Sequence, residues 1–327
     1  MRVLITGATG FVGAWVARAL AQAGHDVRVL VRNPTDAEEL RDLQLEIVTG
    51  DILDSEKVNL ACKNVDSVFH LAGVIAYSSA KRDLMDKVNV GGTKNVISAC
   101  RNQGVRRLLH FSSVVAVGAS FDSHSILNED SEYNLSALNI GYFETKRQAE
   151  ELVRSAAHKG EIDAVCVNPS TIYGPGDAKK SSRGMQKKVA LGKLPFYTSG
   201  GVNVVSIEDV VHCVLQAWQK GKSGERYIIA GENLTIKNLF ELIASIAGVS
   251  PPKIHIPDFI VKGLGLIGDQ QEKFGKKPFL TYENALVSTM FHWFDSSRAQ
   301  KEFNFTPKPA SYAIKQSLEW SKLQGLL

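Results

Sequence analysis

The chain has 327 residues, of which 44% are hydrophobic and 22% charged, and this ordinary globular composition excludes a disordered or collagen-like polymer. Its 38 basic and 34 acidic residues give a formal charge of +4 and are spread along the chain. Binders of nucleic acids and membrane surfaces usually concentrate their basic residues, so we expect neither partner.

Cysteine spacing and hydropathy indicate the cellular compartment in which the chain is expected. The four cysteines show neither CxxC nor zinc spacing, which argues against a disulfide framework and against a metal site. The sequence contains no run of about 18 apolar residues, and its N-terminus enters the first strand without the apolar region of a signal peptide. We therefore expect a cytoplasmic protein.

In the first half of the chain, short β-rich runs alternate with helical patterns. The strand-like runs are residues 2–5, 27–31, 45–48, 67–71, part of 108–117, and 164–167. The helical patterns cover residues 11–23, 84–100 and 142–157. Strands separated by helices indicate βαβ units. We therefore predict an α/β fold with a Rossmann-type, doubly wound parallel sheet.

The pattern loosens after Pro169. Residues 174–201 are rich in basic residues and glycine, which is typical of a loop-rich segment that faces a substrate. Residues 204–219 suggest a strand entering a helix, residues 227–230 suggest a short strand, and prolines interrupt the helical patterns from residue 233 onward. This change predicts a smaller C-terminal α/β region.

A glycine-rich turn follows the first strand, with Gly7, Gly10 and Gly13 in GxxGxxG spacing. Glycine permits the tight turn, lets a pyrophosphate approach the backbone, and lets the next helix pack closely. The N–H groups at the start of that helix, where Phe11 and Val12 lie, then face the phosphates. A bare strand-helix turn is the alternative, but the position between a strand and a helix favours a dinucleotide site.

The end of the second strand bears on the choice of cofactor. Sites for NAD usually carry Asp or Glu about 20 residues after the glycines, bonded to the ribose 2′-hydroxyl. This chain has Arg32 there, nineteen residues after Gly13. A guanidinium can bind a 2′-phosphate with two hydrogen bonds, so Arg32 favours NADP(H) over NAD(H). The alternative is that Arg32 is a solvated loop residue.

A YxxxK motif places Tyr142 and Lys146 on one face of a helix. An ammonium group lowers the pKa of a nearby phenol by favouring phenolate, and such a phenol can exchange a proton with a carbonyl or an alcohol. Before this helix, Ser112 and Ser113 end the fifth strand, where a hydroxyl faces the ligand crevice of a doubly wound sheet. Local backbone capping is the other explanation for these serines.

Together these motifs resemble the extended short-chain dehydrogenase/reductase family, within the NAD-dependent epimerase/dehydratase superfamily. The likeness is greatest to the branch of dihydroflavonol reductase-like and 3β-hydroxysteroid dehydrogenase-like enzymes. The matching segments span nearly the whole chain and read TGATGFVG (6–13), GDILD (50–54), FHLAG (69–73), VNVGGT (88–93), SSVVAVG (112–118), YFETK (142–146), NPSTIYGPG (168–176), SIEDV (206–210) and FDSSRA (294–299).

The resemblance implies roles for the catalytic residues. Ser113 would bond the substrate oxygen, with Ser112 as the alternative, and Tyr142 would be the acid/base. Lys146 would hold the nicotinamide ribose and tune Tyr142. Arg32 stands where NADP-preferring reductases of this branch carry an arginine. Further cofactor contacts are implied for Asp51 and Ile52 at the adenine, for Leu71, Ala72 and Gly73, and for Pro169 and Ile172 beside the nicotinamide.

The same resemblance implies a division of the chain. Residues 1–173 would form the NAD(P)-binding Rossmann domain, to which residues 204–230 and about 288–300 return. Residues 174–203 and 231–327 would form the substrate-binding region. The sequence leaves monomer and homodimer open, and the resemblance implies that a homodimer would pair through the helices at residues 84–100 and 142–157.

Two further polar residues belong to the matching segments. Asn89 reads as the start of a helix, where it is either a structural cap or a proton-relay partner. His70 ends an apolar strand, which favours a packed residue over a catalytic base. The other histidines form no recognisable constellation.

The fold supports several reactions, so the reaction depends on particular positions. The family's dehydratases need two carboxylates after the serine, where this chain has Val114 and Val115. Its epimerases often carry an arginine near the position of Asn203. Apolar segments at residues 194–197 and 259–267 favour an apolar substrate. Basic residues that could instead meet a phosphate or carboxylate are Lys179, Lys180, Arg183, Lys187 and Lys188.

These observations predict an NADP(H)-dependent oxidoreductase. It would reduce a ketone or aldehyde of an apolar or mixed small molecule to an alcohol. Two alternatives remain, a sugar-nucleotide epimerase with tightly held NAD and a non-catalytic NADP(H)-binding regulator. The complete set of Ser113, Tyr142 and Lys146 argues against the regulator.

Overall fold

The structure is a computed structural model and describes residues 1–177 and 183–327. Its strands are β1 (Arg2–Thr6), β2 (Asp26–Val31), β3 (Leu45–Thr49), β4 (Ser67–His70), β5 (Arg107–Phe111), β6 (Ala164–Pro169), β7 (Thr171–Tyr173), β8 (Phe196–Tyr197), β9 (Gly201–Ser206), β10 (Arg226–Ile229), β11 (Glu232–Thr235) and β12 (Ile254–His255). Its helices are α1 (Phe11–Gln22), α2 (Ser55–Ala61), α3 (Arg82–Met85), α4 (Gly92–Gln103), α5 (Gly141–His158), α6 (Gly184–Ala190), α7 (Ile207–Lys220), α8 (Ile236–Ala247), α9 (Asp258–Lys273), α10 (Tyr282–Val287), α11 (Ser297–Phe303) and α12 (Ala310–Leu323).

Seven parallel strands form the main sheet, in the order β3-β2-β1-β4-β5-β6-β10. The chain builds outward from β1 to β3 and then returns to place β4 on the other side of β1. The strand order therefore reverses between β1 and β4, and ligands of such sheets bind at the carboxyl ends of the strands beside that point. This order confirms the predicted Rossmann-type, doubly wound α/β fold.

Both faces of the main sheet are covered by helices. On β1, Val3 and Ile5 pack on one face and Leu4 on the other, and all three side chains are fully buried. Helices α1, α7 and α11 cover the first face, while α2, α4 and α5 cover the second. Strands that are buried on both faces need continuous apolar runs, which is the pattern that the sequence shows.

A smaller region follows β6. Strand β9 pairs parallel with β7 and antiparallel with β11, and helices α6, α8 and α12 pack around a separate apolar core beside this sheet. Helices α9 and α10 pack on each other. Among the described residues, none of the helices combines the length and apolar character needed to cross a bilayer.

The predicted helix at residues 84–100 is interrupted. Helix α3 ends at Met85, the segment Asp86–Gly91 forms a π-helical turn, and α4 begins at Gly92. A π-turn inserts one residue without removing the flanking apolar residues from the buried face, so apolar periodicity does not reveal it.

The fifth strand is shorter than its apolar run. It ends at Phe111, and Val114–Ala116 form a 3₁₀ turn that Ser113 caps by accepting a hydrogen bond from the Val115 N–H. A buried turn and a buried strand share the same apolar composition, so sequence alone does not separate them.

Candidate active site

Close packing requires the glycines of the first turn. Gly7 has φ of +76°, and a Cβ there would lie 2.6 Å from the backbone nitrogen of Ala72. A Cβ on Gly13 would lie 2.0 Å from the carbonyl oxygen of Gly7. The Gly10 N–H closes the turn by donating to the Gly7 carbonyl at 3.0 Å. The turn therefore holds α1 and the loop after β4 close to β1.

The N-terminus of α1 suits an anion. Phe11 and Val12 open this helix, and its N-cap, Gly10, has no side chain to satisfy the first backbone N–H groups. Helix α1, which is described in full, also has no acidic residue in its first turn. These N–H groups and the helix dipole favour a pyrophosphate at this position. The residues present thus fit a dinucleotide cofactor.

The other predicted cofactor residues lie at or near the carboxyl ends of the strands. Arg32 follows β2 directly, is exposed, and lies beside the glycine turn because β1 and β2 pair with Thr6 opposite Leu30. The carboxylate of Asp51, just beyond β3, accepts a hydrogen bond from the Leu53 N–H at 2.9 Å. The rest are Ile52 after β3, Leu71, Ala72 and Gly73 after β4, Pro169 at the end of β6, and Ile172 in β7.

Helix α5 brings the predicted catalytic side chains together beside β5. Tyr142 and Lys146 are both buried on this helix. The Lys146 Nζ donates to the carbonyl oxygen of Phe111, the last residue of β5, at 2.7 Å. Ser113 lies two residues further on, and its side chain is near enough to Tyr142 to act on the pKa of the phenol. All three side chains therefore meet at the carboxyl end of β5.

The geometry separates the two candidate serines. Ser112 is buried, and its Oγ has no hydrogen-bond partner among the described residues, whereas Ser113 is partly exposed and contacts Tyr142. Asn168 fixes the backbone here, because its Nδ2 donates to the Ser113 carbonyl at 3.0 Å and to the carboxylate of Glu150. Sequence reasoning did not single out Asn168 or Glu150, since their contacts join different elements.

The pKa shifts of Tyr142 and Lys146 differ from the sequence-based expectation. Burial raises the pKa of Tyr142 to about 12, and the nearby Ser113 side chain opposes that rise. Burial lowers the pKa of Lys146 to about 8, and the charge of Glu150 opposes that fall. We expected Lys146 to lower the Tyr142 pKa, but desolvation of the phenolate outweighs any such effect, and the ammonium is directed to the Phe111 carbonyl.

Asn89 does not begin a helix, because it lies inside the π-helical turn. Its Oδ1 accepts from the Val74 N–H at 2.7 Å, and its Nδ2 donates to the Val74 carbonyl at 2.9 Å and to the Thr145 hydroxyl at 3.1 Å. The cap interpretation is therefore wrong. Asn89 holds the loop after β4 against α5 at Thr145.

His70 is a packed residue in the structure. It is buried, its Nδ1 and Nε2 contact the hydroxyls of Thr6 and Thr93 at 2.8 and 3.0 Å, and burial lowers its pKa to about 3. The parallel register places His110 of β5 opposite His70, with ring centroids 5.3 Å apart. The sequence missed this pair because the two histidines lie on different strands.

Tyr142 belongs to a buried apolar cluster, which we call the Tyr142 cluster. The ring of Tyr77, in the loop after β4, packs edge-on against the Tyr142 ring with centroids 5.7 Å apart. Helix α10 contributes Leu286 and Tyr282. The remaining members are Val74, Ala76, Met85, Val115, Ala119, Tyr133, Leu135, Ile140, Phe143, Val287 and Met290. Sequence reasoning named neither Tyr77 nor α10 as part of the site.

The apolar segments predicted to face the substrate lie elsewhere. In residues 194–197, Leu194, Phe196 and Tyr197 belong to the separate core of the smaller region. Residues 259–267 lie on α9, mostly on its solvent side. The side chains of the Tyr142 cluster come instead from α3, α5, α10 and the loops that connect them.

The basic residues of the loop-rich segment do not form one anion site in the described residues. Arg183 is buried, pairs with Asp177 at 3.1 Å, and stacks on the Tyr173 ring, so it stabilises the loop. Lys187 and Lys188 are exposed on α6. Lys179 and Lys180 lie outside the described residues.

Comparison with known proteins identifies the family. Residues 3–230 match the model of the NAD dependent epimerase/dehydratase family. The chain is 32% identical to Sterol demethylase protein B of Methylococcus capsulatus over 100% of both chains. It is 28% identical to the 2-alkyl-3-oxoalkanoate reductase of Stenotrophomonas maltophilia, over 94% of this chain and 95% of that one. The solved structure of gox2253 is 33% identical and superposes with a TM-score of 0.85 over 99% of both chains.

The chain therefore belongs to the NAD dependent epimerase/dehydratase family, among the extended short-chain dehydrogenases/reductases. This confirms the resemblance that the sequence motifs indicated. Membership places the chain among oxidoreductases and epimerases that use a nicotinamide dinucleotide.

Proposed function

We propose that the chain is an NADP(H)-dependent reductase of a ketone or aldehyde on an apolar or mixed small molecule. The observation that carries this proposal is the Tyr142 cluster, because the proposed acid/base residue packs among aromatic and aliphatic side chains. An apolar carbonyl compound gains from burial there, whereas the polar groups of a sugar would lose hydrogen bonds with water. The relatives named as a reductase and a sterol demethylase protein agree with such a substrate.

The roles of the side chains follow from their positions. When bound, a reduced nicotinamide supplies a hydride to the carbonyl carbon. Tyr142 donates its proton to the carbonyl oxygen, and its raised pKa keeps the phenol protonated for this step. Ser113 holds the same oxygen by a hydrogen bond. Lys146, whose ammonium is fixed by the Phe111 carbonyl, would hold the ribose of the nicotinamide.

Two positions support reduction over the family's other reactions. Val114 and Val115 are buried after Ser113, so this turn offers no carboxylate pair for dehydration. Asn203 is buried, and its amide contacts Ser170, Asn233 and the Gly231 backbone. A residue engaged in this way supports the smaller sheet and is not free to bind a nucleotide diphosphate.

Arg32 supports NADP(H) as the cofactor. Its side chain is exposed beside the glycine turn, at the carboxyl end of β2 where an adenosine ribose is bound in this type of fold. A guanidinium there favours a 2′-phosphate through charged hydrogen bonds.

The test uses the absorbance of the reduced nicotinamide. After dialysis, the purified chain should rebind NADPH and oxidise it stoichiometrically with a panel of apolar ketones and aldehydes. A parallel panel of sugar nucleotides should give no turnover. Retained NAD together with interconversion of a sugar nucleotide would replace the proposal with an epimerase. NADPH binding without turnover on any carbonyl compound would favour the non-catalytic regulator.

A further inference from the structure

The outer face of α9 is apolar, contrary to the usual pattern of a surface helix. Five large side chains on this face, or at its end, are 42–81% exposed. They repeat every seven residues, or about two turns, so they share the side that faces the solvent. The five side chains are those of Phe259, Ile260, Leu266, Ile267 and Phe274. Together with Phe279, they are called the α9 surface.

The packing of α9 fixes this orientation. Its opposite face carries Val261, Gly265 and Gly268, which are buried. A Cβ on Gly265 would lie 2.8 Å from the Ala285 Cβ, and one on Gly268 would lie 1.8 Å from the Leu280 carbonyl oxygen. Because only glycine fits at these contacts, the helix cannot rotate to bury its outer apolar face. The α9 surface is therefore a stable feature of the fold.

Basic residues surround this surface. Lys273 ends α9, Lys276 and Lys277 lie just beyond it, and all three are exposed. The Lys188 Nζ of α6 lies 4.6 Å from the centre of the Phe279 ring, and Lys262 lies near the exposed ring of Phe121.

The nearby carboxylates turn toward the protein instead. Asp269 accepts a hydrogen bond from the backbone N–H of Tyr282 at 2.9 Å, and Glu272 accepts one from the Ser78 hydroxyl at 2.7 Å. The charge that faces outward around the apolar side chains is therefore positive.

We propose that the α9 surface docks on the headgroup region of a bilayer that contains anionic lipids. Helices that lie in the membrane interface combine an apolar face, including aromatic side chains, with flanking lysines. Anionic headgroups attract the lysines while the apolar side chains enter the acyl boundary. A second copy of the chain fits less well, because a symmetric contact would bring the two sets of lysines together.

This proposal replaces the sequence-based expectation that the chain avoids membrane surfaces. That expectation rested on basic residues spread along the sequence. Folding brings Lys188 of α6 against Phe279 of the α9 surface, although about 90 residues separate the two in the sequence. The linear distribution of charge therefore did not indicate its distribution on the surface.

Vesicle flotation with the full chain tests the proposal. The wild type should float with vesicles of phosphatidylcholine and phosphatidylserine, and less with phosphatidylcholine alone. Bound protein should fall as salt rises, because salt screens the lysines. Leu266→Gln should weaken binding roughly tenfold. Leu60→Gln on α2 is a matched control, since the two leucines are 58% and 56% exposed, and it should bind like the wild type.

A second flotation experiment uses a variant with reversed charge. The double change Lys276→Glu and Lys277→Glu should reduce flotation with anionic vesicles by about tenfold or more and leave the melting temperature unchanged. Absence of flotation with anionic vesicles would overturn the proposal, as would equal binding by Leu266→Gln and Leu60→Gln. A dimer in sedimentation equilibrium that Leu266→Gln dissociates, without lipid binding, would assign the surface to a second copy. These readouts do not depend on turnover, so they are independent of the proposed reductase activity.

Discussion

Lys146 should make the stability of the ligand-free chain depend on pH. Its ammonium is buried between α5 and β5 and has the Phe111 carbonyl as its hydrogen-bond acceptor. Burial lowers its pKa from 10.5 to about 8. Between these values the unfolded chain binds more protons than the folded chain, so the free energy of unfolding rises with pH. The gain begins near pH 8 and is complete near 10.5.

The pKa difference sets the size of the effect. Each unit is worth about 1.4 kcal/mol, so the fall in the Lys146 pKa corresponds to about 3 kcal/mol of unfolding free energy across this window. Tyrosines and cysteines also titrate at these pH values. A comparison with Lys146→Met isolates the lysine, because methionine fills a similar space without a titratable group. The wild type should therefore gain about 3 kcal/mol relative to this variant between pH 7 and 10.5.

Urea unfolding followed by circular dichroism at several pH values measures this difference. Lys87→Met serves as the control, because Lys87 is exposed and its replacement should leave the pH profile parallel to that of the wild type. The reasoning would be refuted if the profiles of Lys146→Met and the wild type were also parallel. That result would mean that Lys146 keeps an ordinary pKa in the folded chain.

Three further predictions concern the cofactor and the catalytic residues. Arg32→Ala should weaken NADPH binding by about 10- to 150-fold and leave NADH binding nearly unchanged in titrations, and equal losses would show that Arg32 only supports the loop. Tyr142→Phe should lower turnover by about 10²- to 10⁴-fold while NADPH binding persists, and Ser113→Ala should cost more activity than Ser112→Ala. A greater loss of activity in Ser112→Ala than in Ser113→Ala would assign the catalytic role to Ser112. Gly13→Ala should cost about 1–3 kcal/mol in chemical denaturation and weaken both dinucleotides, because the new methyl group meets the Gly7 carbonyl, and full retention of both would contradict this packing.

Much of the fold could be predicted because its signals are local. A buried parallel strand appears as a short apolar run, as at Val3, Leu4 and Ile5, and a helix appears through its periodicity. The glycine turn carries its own steric requirement within a few residues. The parallel sheet then places the predicted residues at one edge, since every strand of a βαβ series ends on the same side.

The features that sequence reasoning missed depend on contacts between distant segments. Asn89 positions the loop at Val74, and Tyr77 packs against Tyr142. Neither contact can be predicted from the periodicity of the sequence. Arg183 looks like a free cation until Asp177 and Tyr173 are placed around it. In each case the residue type was visible, but its partner became known only from the fold.

The surroundings of Tyr142 show why the family alone does not decide the reaction. The tyrosine and the lysine lie on α5 and the glycine turn follows β1, so all three belong to the Rossmann-type part of the fold, which reductases and epimerases share. The apolar cluster that contains Tyr142 also includes side chains from the loop after β4 and from α10, and α10 lies beyond residue 230, where the match to the family model ends. We therefore expect these segments to determine which carbonyl compound is accepted. Substitutions at Tyr77 or Leu286 should change which carbonyl compounds are accepted without abolishing NADPH binding, and a panel of substrates read with each variant would measure this separation.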